Sequence, residues 1–229
     1  MVMNQSGKYA KVFGVPRTGT TFIETLFALN FDFGVYLNHY GNKHHRPLTF
    51  QEMVGWIKER PWIKDQYLPV LDGTIYPFVV IKNPYSWEQS IKRFSKNDNL
   101  NMEVEYNNYN FKYGVWKKLL ESPHKPFGKG FVIRYEDTLL NAEQMFEDIA
   151  KKTGLKMKDK ELLADGKFIV PTKVNSSDEF TEERKQFYLS DDNFGLSAER
   201  IEFITNMVDW DLMKFYGYKR MEADNYEIL

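Results

Sequence analysis

One octapeptide constrains this chain more than any other feature. Residues Gly14 to Thr21 read GVPRTGTT, between the apolar run Tyr9–Val15 and a segment with Phe22, Ile23, Leu26, Phe27 and Leu29 on one helical face. A glycine, four residues and a second glycine entering a helix is the spacing of a nucleotide-binding phosphate loop. In such a loop, backbone N–H groups and a helix N-terminus converge on an anion. An ordinary strand-to-helix turn that carries two glycines is the other reading of the same residues.

The rest of the chain keeps the strand–helix alternation. An extended segment, Gly34–Tyr40, precedes the basic turn Gly41–Pro47. Thr49 with Glu52 forms a capping box for the next helix, which ends before Pro61. The run FVVIK, Phe78–Lys82, is apolar without alternation, as a strand buried on both faces requires. A helix follows from Pro84 with Trp87, Ile91 and Phe94, then a helix over Tyr109–Leu120, a strand over Phe131–Tyr135, and a helix from Asn141 to Gly154. Residues Leu155–Phe180 read as an irregular excursion. Helices are expected over Thr181–Tyr188, Ser197–Met207 and Trp210–Tyr216. Alternation of this kind implies crossover connections and a parallel sheet covered on both faces, an α/β chain. With no linker in view, residues 1–229 read as a single domain.

Composition narrows the function. The 31 Lys+Arg nearly balance the 32 Asp+Glu, so the chain does not hold nucleic acid by bulk charge, and any bound anion needs a local site. Cysteine is absent, which removes disulfides, thiolate metal sites and a cysteine nucleophile. No stretch approaches the roughly 20 apolar residues of a membrane span, and no signal sequence opens the chain. A cytoplasmic protein is the expectation.

The loop departs from that of ATP and GTP enzymes at one position. Those enzymes place Lys after the second glycine, to reach the β- and γ-phosphates, where this chain has Thr20. Arg17 is the loop's one cation, and the clearest strand ends in Lys82 rather than in a metal-binding Asp. These substitutions point to a nucleotide with a different reactive end.

PRTGTT, from Pro16 through Arg17, Thr18, Gly19 and Thr20 to Thr21, resembles the 5′-phosphosulfate loop of the sulfotransferases that use 3′-phosphoadenosine 5′-phosphosulfate (PAPS). VVIKNPYSWEQS resembles that family's 3′-phosphate segment, with Lys82 in place of the usual Arg and Ser90 eight residues on. FVIRYEDTLLNAEQMFEDIAKKTGL resembles its strand, Tyr-Glu-Asp turn and helix, in which Tyr135 would lie near adenine. The run from Tyr188 to Tyr218 is similar to the tail of bacterial members. The family's Arg-Lys-Gly segment is not recognisable. Its nearest stand-ins are Lys173 with Asn175, Ser176 and Ser177, or Lys185. The resemblance implies a three-layer P-loop NTPase-like fold with a central, mostly parallel sheet. It also implies PAPS as co-substrate with PAP as product, no metal, and a small-molecule or carbohydrate acceptor.

In-line sulfuryl transfer needs the growing charge on the 5′-phosphate neutralised, by the loop amides and Arg17, and a base for the acceptor. His39, His44 and His45 cluster after the second extended segment, at the edge where open α/β sheets bind ligands. His44 is the expected base and Lys43 the group that polarises the transferred sulfuryl. Glu52 and Glu59 are the alternatives, and a zinc site on the three histidines lacks a carboxylate partner. Arg93 shares a helix face with Ser90, and Trp56 and Trp62 flank the acceptor side. A P-loop small-molecule kinase and a non-catalytic nucleotide-binding protein are the competing readings.

Overall fold

The computed structural model describes residues 9–32, 34–35, 43–44, 50–64, 73, 75–95, 100–121, 130–158, 173–175, 178–179, 182–189 and 194–221. The chain is α/β. Its main sheet has the order β2-β1-β3-β4, formed by β1 (Tyr9–Phe13), a two-residue edge β2 (Gly34–Val35), β3 (Ile75–Ile81) and β4 (Phe131–Arg134). Every pairing in it is parallel, with Phe13 opposite Val79 and Ile81 opposite Arg134.

Strand periodicity sorts the sheet's side chains into two cores. Ala10, Val12, Phe78, Val80 and Ile133 face α1 (Thr20–Asn30) and the helix after β4, meeting Phe22, Phe27 and Phe146. Phe13, Val79 and Ile81 point the other way, toward Trp87, Tyr109, Tyr113 and Trp116. The helices on that side are α3 (Pro84–Ser95) and α4 (Met102–Leu120), with α2 (Phe50–Glu59) preceding them in the chain. The continuous apolar run of β3 is explained by this double burial, since all seven of its residues are buried.

The C-terminal part supplies α6 (Glu182–Leu189), α7 (Ala198–Met207) and α8 (Trp210–Phe215), after α5 (Tyr135–Thr153). Glu88, fully buried on α3, binds Arg200 of α7 through both oxygens and also takes the Tyr106 hydroxyl and Lys92. A buried carboxylate held this way ties α3 to α7 because leaving it unpaired would be costly.

β3 starts at Ile75, three residues before the expected Phe78, and ends at Ile81, and three further departures from the sequence expectation bear on the helices. α4 starts at Met102, seven residues before Tyr109, because Asn101 Oδ1 accepts from the N–H groups of Glu103 and Val104. β4 stops at Arg134 and Tyr135 opens α5, so the Tyr-Glu-Asp triplet is a helical first turn. Asn141 is a break inside α5 (φ −156°, ψ 74°) and still caps the following turn by accepting from Gln144 N–H. Within the 155–180 excursion, β5 (Lys173–Asn175) pairs antiparallel with β6 (Asp178–Glu179). No helix among the described residues is long and apolar enough to cross a membrane.

Candidate phosphate-loop site

Where β1 ends, the chain turns tightly over β3. A Cβ on Gly14 would lie 2.7 Å from the Val80 carbonyl oxygen and 2.7 Å from the side chains of Thr18 and Thr20, so only glycine fits. Arg17 (φ 70°) and Gly19 (φ 92°) are both left-handed and curl the loop around Thr18. Thr18 is fully buried and donates its hydroxyl to the Val15 carbonyl, so its side chain braces the loop from within. The Pro16 carbonyl is fixed from α3 by the indole N–H of Trp87 at 2.8 Å.

Gly19 is the N-cap of α1 and offers no side-chain cap, and the first turn has no acidic residue. The first amides of an 11-residue helix are thus left with the positive end of the helix dipole and no carboxylate to offset it. Of the loop threonines, Thr20 is buried and Thr21 is exposed.

Lys43 and His44 are brought onto this loop from far along the chain. Gly14 N–H donates to the Lys43 carbonyl, and His44 Nδ1 lies 2.8 Å from the Gly14 carbonyl oxygen. Lys43 Nζ donates to Thr21 Oγ1 at 2.8 Å and to Glu24 Oε2 at 2.6 Å. A carbonyl only accepts, so neutral His44 carries its proton on Nδ1 and Nε2 holds the basic lone pair. Glu24 is almost entirely buried, and burial raises its pKa against the opposing pull of Lys43.

Beyond the other end of the loop lie Lys82 and Ser90. Lys82 Nζ is 3.4 Å from Ser90 Oγ, and its centroid distances to the Tyr135 and Tyr188 rings are 4.0 and 4.1 Å. Burial lowers the Lys82 pKa, with Tyr188 and Glu136 opposing and nearby Arg17 adding to the fall. Arg17 itself rests over the exposed ring of Phe94 at 4.7 Å, and its Nε has no hydrogen-bond partner among the described residues. Both cations face rings, and the carboxylate that acts on Lys82 is the buried Glu136.

Tyr135, expected beside a base, is 3% exposed and packs directly beneath Gly19. Its ring meets Phe22 and Tyr188 edge-on and faces Lys82, so in this structure it is the floor of the loop. Arg93 lies over Phe187, while Trp56 and Trp62 are exposed near Arg60. Glu59 is exposed and Glu52 half-buried on α2. Lys173 falls on β5, but its side chain, Ser176, Ser177, His39 and His45 lie outside the described residues, as does Thr49. Among the described residues no group of three or more acidic or histidine side chains is placed to hold a metal ion.

Sequence reasoning missed Glu136 and the tyrosine hydroxyls. Glu136, buried, accepts from Asn83 N–H and from the Tyr218 hydroxyl, and so joins α5 to the entry of α3 and to the tail. Tyr113 and Tyr109 donate to the carbonyls of Val80 and Lys82, and the Tyr218 hydroxyl, whose proton goes to Glu136, lies 3.4 Å from the carbonyl oxygen of Ile81. These residues lie beyond the last β1 partner of β3, at Val79, although Val80 and Ile81 still face β4, so the tyrosines gather at the end of the strand where its ladder with β1 has run out. Tyrosines at four-residue spacing in a polar, Asn-rich stretch were the available signal.

No family model, curated protein or solved structure matches this chain.

Proposed function

We propose that this chain is a PAPS-dependent sulfotransferase that passes a sulfuryl group to a hydroxyl or amine of a small molecule or carbohydrate. The observation that carries the reading is the docking of the Lys43–His44 turn on Gly14, which sets an imidazole and an ammonium beside a helix N-terminus that has no side-chain cap. On this reading the fold is the three-layer P-loop NTPase-like type, and the protein acts in the cytoplasm.

The 5′-phosphosulfate lies over the loop, with its phosphate toward the α1 amides and Arg17. As the acceptor oxygen or nitrogen forms its bond to sulfur, the bond from sulfur to the 5′-phosphate oxygen breaks and its electron pair stays on that oxygen. The acceptor proton passes to His44 Nε2, and the phosphate charge that develops is met by the helix dipole. Lys43 draws charge from the sulfuryl oxygens. PAP leaves with both phosphates. Lys82 at the end of β3, in place of a carboxylate, suits a nucleotide phosphate better than a bound cation.

Saturating PAP is expected to stabilise the protein by about 3 kcal/mol at a hundredfold excess over its Kd, read as a thermal shift of several degrees. A shift with ATP–Mg²⁺ and none with PAP would replace this reading with the kinase one. His44→Ala is expected to lower the transfer of labelled sulfate from PAPS to a pool of phenol, sugar and amine acceptors by about 10²- to 10⁴-fold. Its PAP affinity should stay within about twofold of the parent, because the ring's hydrogen bond to the loop, at Gly14, is to a backbone carbonyl. Undiminished transfer would remove His44 as the base and leave Glu52 or Glu59.

A further inference from the structure

Lys82 and Ser90, the pair that the proposed reading gives to the nucleotide's 3′-phosphate, already share a neighbour. Tyr188 of α6 places its hydroxyl 3.0 Å from Ser90 Oγ and its ring 4.1 Å from Lys82 Nζ. The phenol therefore lies on the flank that the hydroxyl and the ammonium present together. Tyr188 is 5% exposed, perpendicular to Tyr135, and followed outward by Phe187, whose ring carries the Arg93 guanidinium.

We infer that Tyr188 is the residue that sets how strongly this site distinguishes a doubly from a singly phosphorylated nucleotide. Its hydroxyl stands where a phosphate oxygen would, and a 3′-phosphate reaches Ser90 and Lys82 only by displacing it. This inference rests on the nucleotide reading above and goes beyond it.

The exchange is physically reasonable in both directions. Without ligand, a neutral phenol satisfies Ser90 and its ring attracts the ammonium, which has no carboxylate within ion-pair distance among the described residues. The other groups facing Lys82 are the Tyr135 ring, Arg17 on the loop and Glu136 on α5. A phosphate dianion offers the same ammonium a charge-assisted hydrogen bond, and so outcompetes the ring. Until it does, the affinity for a 3′-phosphorylated nucleotide is lowered by the fraction of molecules in which Tyr188 has moved aside. Adenosine 5′-phosphate, which occupies the loop alone, meets no such competition.

Calorimetric Kd values for PAP and adenosine 5′-phosphate, on the parent protein and on Tyr188→Phe, test the inference. Phenylalanine keeps the ring over Lys82 and deletes the hydroxyl with its contacts to Ser90 and Lys82. PAP is expected to bind about three- to tenfold more tightly, the worth of one neutral hydrogen bond, with adenosine 5′-phosphate within about twofold. Tyr188→Leu, which removes the ring as well, should extend the gain for PAP. Weaker PAP binding to Tyr188→Phe would make the hydroxyl a ligand of the phosphate and overturn the inference. An unchanged ratio of the two Kd values would overturn it too. If neither nucleotide bound either protein, the nucleotide reading itself would fall, and this inference with it.

Discussion

Gly19→Ala is expected to destabilise the protein by about 2–5 kcal/mol and to weaken PAP binding by about 100-fold or more. The first contribution is backbone strain: an L-residue held at φ 92° costs about 1–2 kcal/mol. The second is overlap, since the new Cβ would lie 2.6 Å from Tyr135 Cε2 and closer still to Cδ2. Tyr135 has no room to retreat, with Phe22 and Tyr188 edge-on against it and Lys82 over its face. Overpacking of this kind adds about 1–3 kcal/mol. Either the loop lifts away from α1 or the ring shifts and opens the packing around Lys82, and both disturb the loop to which the proposed function gives the 5′-phosphate. Gly73→Ala is the control, because Gly73 has a similar φ of 78° and, among the described residues, nothing within 4 Å of its Cβ position. It should show the strain alone. Urea midpoints and PAP titrations separate the two variants, and a Gly19→Ala protein as stable as Gly73→Ala would refute the packing argument.

Lys82→Met is expected to move stability and binding in opposite directions. The ammonium is buried and held by a hydroxyl and two rings, with Arg17 close enough to repel it. Replacing a buried charge by an apolar side chain of similar length is commonly neutral or stabilising by about 1–4 kcal/mol. The melting temperature should therefore hold or rise. PAP affinity should fall by about 10- to 150-fold, the worth of a hydrogen bond to a charged group. The pH dependence has a definite sign. Lys82 has a lower pKa folded than unfolded, so above the folded value the unfolded chain binds more protons and stability rises with pH toward the ordinary lysine range. Methionine should flatten that rise. A strongly destabilised Lys82→Met would make the amine a structural group, and unchanged PAP affinity would take it out of the site.

The legible parts of this fold were those encoded by local pattern. β3 announced itself because FVVIK is apolar on both faces, and the sheet buries it on both. The loop was legible because Gly14 and Gly19 are each required by a contact or a dihedral at that position. Sheet geometry alone puts Lys43 and His44 at the end of the strands where open α/β sheets bind ligands, and the structure hydrogen-bonds both residues to Gly14. What stayed hidden depends on atoms distant in sequence. Nothing near Tyr188 indicates that its hydroxyl meets Ser90, 98 positions earlier. The start of α4 was obscured because Asn107, Asn108 and Asn110 suggest a turn, while its burial comes from Tyr106, Tyr109, Tyr113 and Trp116 packing on a sheet that the sequence does not display. Tyr135 was placed beside a ligand by analogy, and its burial follows from Gly19 having no side chain to hold it off.

The end of β3 also bears on how the protein is made. Tyr218 reaches back to the Ile81 carbonyl and to Glu136, Tyr216 to the Tyr113 carbonyl, and the Gly217 carbonyl accepts from Arg134. On a ribosome, β3 and the loop are synthesised more than a hundred residues before Tyr216 and Tyr218. The nascent chain thus carries unfinished carbonyls and an exposed aromatic face until residues 216–218 clear the exit tunnel. Contacts this distant in sequence favour late closure of the fold.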